Sequence, residues 1–149
     1  MDEFKMKYTG RGLTNAEFKF GDVMKTEMPP ADCLMVIHVL HHLNSFAEQD
    51  QLMRDCVGKL KPGGKLLICE VQSRPWWKLF LSYCADYMLY PGDSIYYRKP
   101  AEIIDVLKSC NLDVHFEESH KGCPFPHVTY VATKRGEMPN SGATVSAQQ

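Results

Sequence analysis

The hydrophobic pattern divides the chain into short apolar runs separated by breakers. "AEFKF", residues 16 to 20, alternates apolar and polar positions, which predicts a short strand. Gly21-Asp22 ends it as a turn signal. Met28-Pro29-Pro30 is a second break, because proline lacks an N–H and restricts the residue before it. "CLMVI", residues 33 to 37, is apolar throughout, which predicts a strand covered on both faces, as in a parallel sheet flanked by helices.

Ser45 and Glu48 then have the spacing of a capping box. Leu52, Met53, Cys56, Val57 and Leu60 follow at helical spacing. "KPGG", residues 61 to 64, stops that helix, and "KLLICEV", residues 65 to 71, is the next strand. Strand, helix and strand with short links predict a βαβ unit with a right-handed crossover. Residues 74 to 99 are dense in aromatics and predict a helix from about Trp76 to Leu89, broken by Pro91-Gly92-Asp93. Pro100 suits the first turn of another helix, with Ile103, Ile104 and Leu107 on one face and Asn111 as its stop. "LDVHFEES" and "HVTYVATK" flank Gly122-Cys123-Pro124 and predict an antiparallel hairpin at the sheet edge. From Gly136 to Gln149 the chain is small and polar, which predicts a disordered tail. The fold class is therefore α/β.

Composition changes this picture little. The 149 residues suit one domain, and 44% hydrophobic with 23% charged content is ordinary for a globular chain. A net charge of −1, with the two signs interspersed, gives no electrostatic case for nucleic acid or an anionic membrane. No apolar run is long enough to cross a bilayer. The polar N-terminus lacks the apolar core of a secretory signal, so the cytoplasm is the default location. The six cysteines form no C-x-x-C pair and read as reduced, small hydrophobes rather than a zinc site.

Four segments now matter together: "AEFKFGDV", "ADCLMVIHVLHHL", "LKPGGKLLICEV" and "RKPAEIIDVLKSCNLDV". Their order and joints resemble the C-terminal portion of a class I (Rossmann-like) S-adenosylmethionine-dependent methyltransferase, over roughly residues 8 to 135. The resemblance implies a partial Rossmann-like sheet with flanking helices, with S-adenosylmethionine as cofactor and methyl transfer to a small-molecule acceptor. It places Asp22 at the adenine-contacting carboxylate, with Val23 beside it. His38 and Val39 fall at the strand end facing the cofactor's methionine. The family's first strand, glycine-rich loop and ribose-binding strand have no match. "YTGRGLT", residues 8 to 14, lacks the full glycine pattern. The expectation is an incomplete domain over residues 1 to 135, with residues 74 to 99 as a lid-like insertion and 136 to 149 as a tail. An incomplete sheet has an open edge, where a second copy or a partner chain could pair. A non-catalytic interaction module using that edge is the alternative.

His41 and His42 close the apolar run "MVIHVLHHL". A metal site needs convergent ligands, and H-x-x-H-H lacks the glutamate of the helical H-E-x-x-H motif. The reading taken from sequence is a pocket rim and turn packing without metal. His41 is then an acceptor contact, and His42 a candidate general base because histidine titrates near neutrality. In the aromatic segment, Trp77, Tyr83, Tyr87 and Tyr97 are candidate walls of the acceptor pocket, against core packing as the plainer use of such a stripe. A membrane-surface helix over residues 76 to 90 is a third reading, weakened by its single cation, Lys78.

Overall fold

The computed structural model describes residues 15–17, 19–71, 75–92, 94–119 and 125–136. The hairpin tip at Gly122-Cys123-Pro124, the "YTGRGLT" stretch and the tail from residue 137 lie outside them. The elements are β1 (Ala31–Ile37), a 3-10 turn (Leu40–His42), α1 (Phe46–Lys59), β2 (Leu60–Val71), α2 (Trp76–Leu89), α3 (Pro100–Ser109), β3 (Leu112–Ser119) and β4 (His127–Lys134). They build a four-stranded sheet in the order β1-β2-β4-β3. β1 and β2 run parallel through the α1 crossover, and β4 pairs antiparallel with both β2 and β3.

Local chemistry explains most boundaries. Ser45 Oγ accepts from the Glu48 amide at 3.2 Å, which caps α1. Glu48 in turn accepts from the Asn44 amide at 3.0 Å, one residue further out than a standard capping box. Gly63 has φ +75°, and a Cβ on Gly64 would lie 2.9 Å from the Lys61 carbonyl oxygen and 3.1 Å from that of Asp32. Only glycines let "KPGG" turn so closely against β1. The tight turn also makes β2 longer than predicted. Leu60 already pairs with Ala31, and the register then shifts so that Cys33 meets Lys65. Pro100 opens α3, and Asn111, at φ 61°, ends it in the left-handed region that asparagine tolerates.

The core lies between the sheet and helices α1 and α3. Leu66, Ile68, Tyr130 and Ala132 supply the sheet face, and Leu52, Met53 and Leu107 cover it. Cys56 is buried there, and burial pushes its thiol pKa up to about 11, the state of an inert hydrophobe.

Three expectations are corrected. Residues 16 to 20 form no strand among the described residues, and those described are exposed. A strand needs a ladder partner, and no described strand borders the outer edge of β1. "CLMVI" is a strand, but only one of its faces is covered. Leu34 and Val36 turn toward the core, while Met35 and Ile37 are 61% and 47% exposed. The predicted helix 76–89 forms with its polarity inverted. Lys78 and Ser82 are buried, whereas Trp76 is 77% and Met88 84% exposed. The inner side of α2 faces a polar cluster, which favours its polar stripe there.

Candidate active site

The carboxyl ends of parallel strands are where open α/β sheets bind ligands. Here β1 runs into His38 and β2 ends at Glu70-Val71, with His127 of β4 paired to Val71. Helix α2 lies across this end. Together they enclose a cavity of about 280 Å³ lined by His38, His41, His42, His127, Val71 and Asp86, among others.

Glu70 organises one wall. It is buried, and its Oε1 accepts from the Val39 amide at 3.1 Å and the Leu40 amide at 2.8 Å. Those amides open the 3-10 turn and lack turn partners, so the carboxylate does for this turn what a capping side chain does for a helix. Its Oε2 lies 2.6 Å from His41 Nδ1. A carboxylate acceptor places the proton on Nδ1 and leaves the lone pair of the neutral ring on Nε2. His41 Nε2 faces Asp86 Oδ2 at 3.9 Å, beyond hydrogen-bond range. Asp86 Oδ2 instead accepts from the Tyr97 hydroxyl. Burial, reinforced by Asp86, pushes the Tyr97 phenol far above its usual range, so it keeps the proton it donates. The Tyr97 ring also stacks on His41 at 5.1 Å.

The segment carrying Tyr97 is tied down by backbone. The Tyr96 amide donates to the His41 carbonyl at 2.9 Å, and Gln49 Nε2 of α1 donates to the Tyr96 carbonyl at 2.9 Å. Arg98 holds Asp50 on the same helix. Across the cavity, His38 sits at φ 52°, an unusual angle for a non-glycine residue, with its ring 4.9 Å from His127. Burial lowers the His127 pKa, and the neighbouring His38 and Lys78 add to that shift, with Glu70 opposing.

The residues singled out by sequence divide into groups. Asp22 lies in an exposed turn, where its Oδ1 accepts from the Met24 amide at 2.9 Å and its carboxylate pairs with Lys25 at 3.1 Å. The Met24 amide first, and then Lys25, hold its pKa below the usual value. Val23 and Val39 meet in a small apolar cleft of about 100 Å³, with Leu34, Leu52 and Cys56. His38, His41 and His42 converge on the larger cavity. Tyr97 stands behind His41, and Tyr83 meets Tyr97 edge-on at 4.7 Å. Trp77 and Tyr87 are 49% and 59% exposed and do not line the cavity.

In sequence, the methyltransferase-domain family matches residues 1–68. No curated protein matches the chain. Among solved structures, the mitomycin 7-O-methyltransferase MmcR superposes with a TM-score of 0.66 at 23% identity, over 89% of this chain and 38% of that one. The N-methyltransferase NodS from Bradyrhizobium japonicum, in complex with S-adenosyl-L-homocysteine, gives 0.63 at 14% identity, over 87% and 59%. Its fold is that of the class I methyltransferases. The same fold also appears in the [4+2]-cyclase SpnF, with a TM-score of 0.64 at 15% identity over 89% and 61%. The chain spans less than two thirds of the length of each of these proteins.

Within the methyltransferase fold, sequence reasoning missed Glu70, Asp86 and His127. Glu70 carried a usable signal, as the single carboxylate in the run "LLICEV" at the carboxyl end of a strand. Asp86 and His127 carried none, since only the packing of α2 and β4 brings them to the cavity.

Proposed function

We propose that this chain, which carries a methyltransferase fold, uses S-adenosylmethionine to methylate a small-molecule acceptor, in the cytoplasm. The observation that carries the reading is the pair of adjoining sites at one sheet end. An apolar cleft lies against Val23 and Val39, and a histidine-lined cavity begins at the preceding residue, His38. The cleft suits a flat, apolar-faced ring such as adenine, with Asp22 as the neighbouring carboxylate for its exocyclic amine. Val39 contributes side-chain packing, because its amide is taken by Glu70. His38 and Val39 then adjoin the methionine end. When bound, the cofactor supplies an already activated methyl group, so the chain mainly aligns the acceptor and excludes water.

In this reading residues 74–99 form the acceptor lid, with Trp77, Tyr83 and Tyr87 on its helix and Tyr97 on its return. His41 contacts the acceptor, and His42 takes the proton from acceptors that must lose one. No helix among the described residues is long and apolar enough to cross a membrane.

Calorimetric titration of the chain with S-adenosylhomocysteine tests the proposal. Saturable binding that weakens in Asp22→Ala is the expected result. A folded chain that binds nothing, or a variant that binds as well as the parent, overturns it. Dimerisation without cofactor binding would instead assign the chain to an interaction role through the open edge of β1.

A further inference from the structure

We propose that His41, His42 and Asp86 form a divalent transition-metal site on the wall of the cavity, with zinc as the fitting ion. The sequence reading set metal aside because H-x-x-H-H lacks the glutamate of the helical H-E-x-x-H motif and shows no convergent third ligand. The fold supplies one from α2. One ligand atom from each of the three residues lies within 4.8 Å of the others.

Distances separate this set from its neighbour. Two ligands on one ion with bonds of roughly 2.0–2.2 Å lie about 3.0–3.5 Å apart. Glu70 Oε2 and His41 Nδ1, at 2.6 Å, are too close to share an ion and are a hydrogen bond. This removes the other convergent set, His38, His41 and Glu70. His41 Nε2 and Asp86 Oδ2, at 3.9 Å, are too far apart for a hydrogen bond. A small rotation of either side chain brings them to a shared ion.

Outer partners strengthen the assignment. A metal-binding histidine commonly donates its other N–H to a carboxylate, which fixes the tautomer and aims the free nitrogen. Glu70 does this for His41. Tyr97 braces Asp86, and its ring pins the His41 face. Both ligands are therefore held from behind. Two imidazoles and one carboxylate suit zinc or a neighbouring first-row ion, not magnesium or calcium, which favour all-oxygen shells. Three protein ligands leave a coordination position toward the cavity, where an acceptor oxygen or water can bind. The site stands on its own geometry and does not require the methyl-transfer reading; an ion bound there would occupy His42 and replace it as the group that activates the acceptor.

The experiment uses the untagged chain with its cysteines reduced, titrated with Zn²⁺ by calorimetry and with Co²⁺ by visible absorption. One ion per chain is expected, with cobalt ligand-field bands and no thiolate-to-cobalt charge transfer. Asp86→Asn should abolish tight binding. Tyr97→Phe, which keeps the ring and loses the brace, should weaken it by about 10-fold or more. Circular dichroism checks that each variant is folded. The proposal is overturned if the folded chain binds no stoichiometric ion, if charge-transfer bands assign the metal to cysteine, or if both variants bind as tightly as the parent.

Discussion

Glu70 offers the sharpest test of how the site is built. Glu70→Ala removes the acceptor from the Leu40 amide and His41 Nδ1, both buried, and from the partly buried Val39 amide. A buried donor left without a partner costs about 1–3 kcal/mol. Water entering from the adjoining cavity recovers part of that, so the substitution should cost about 3–4 kcal/mol in total. That is a large share of the roughly 5–15 kcal/mol that holds a typical domain folded. Glu70→Gln is the graded control. Its amide oxygen still serves the two backbone donors, while its NH₂ meets Nδ1 and moves the histidine proton to Nε2. Exchanging one charge-assisted contact for a neutral one should cost about 1 kcal/mol. Urea unfolding followed by far-UV circular dichroism, with an unchanged slope, reads both values. If Glu70→Ala costs under about 1 kcal/mol, or Glu70→Gln costs as much as Glu70→Ala, the carboxylate does not hold the turn as argued.

Three further outcomes are expected. The His127 pKa lies below 6.5 in the folded state, so the unfolded chain binds more protons just below that pH. Stability should therefore rise with pH up to about 6.5 and fall on acidification, and His127→Gln should flatten that part of a thermal-melting profile. Ser45→Ala removes the cap on the Glu48 amide and should cost about 1 kcal/mol by denaturant titration, whereas Ser45→Gly should cost only a few tenths. Asn111 has φ 61°, so Asn111→Gly should hold or raise the melting temperature while Asn111→Val lowers it by the equivalent of about 1–2 kcal/mol.

The order of elements was legible because each boundary is written in local chemistry. Ser45, the Gly63-Gly64 pair, Pro100 and Asn111 act on backbone within a few residues of themselves, and a single sequence displays such residues directly. The amphipathic faces of α1 and α3 and the alternation in β4 were legible for the same reason, since burial of one face imposes a period. Residues 16 to 20 have the right alternation, and the described ones among them still form no strand, because a strand is completed by hydrogen bonds to a neighbour that its own residues cannot specify. The aromatic helix shows the same limit. Its apolar residues read as walls of a pocket or core, yet Trp76 and Met88 face outward and Lys78 and Ser82 face in.

The site divides along the same line. The sequence by itself determined that His38, His41 and His42 end an apolar strand and gather at a turn. Only the tertiary structure decided what they meet. Glu70 reaches them from the adjacent strand, Asp86 and Tyr97 from a helix and its return, and His127 from an antiparallel strand late in the chain. Chemistry among side chains depends on distances of a few ångströms, and those are set by packing between segments far apart along the chain.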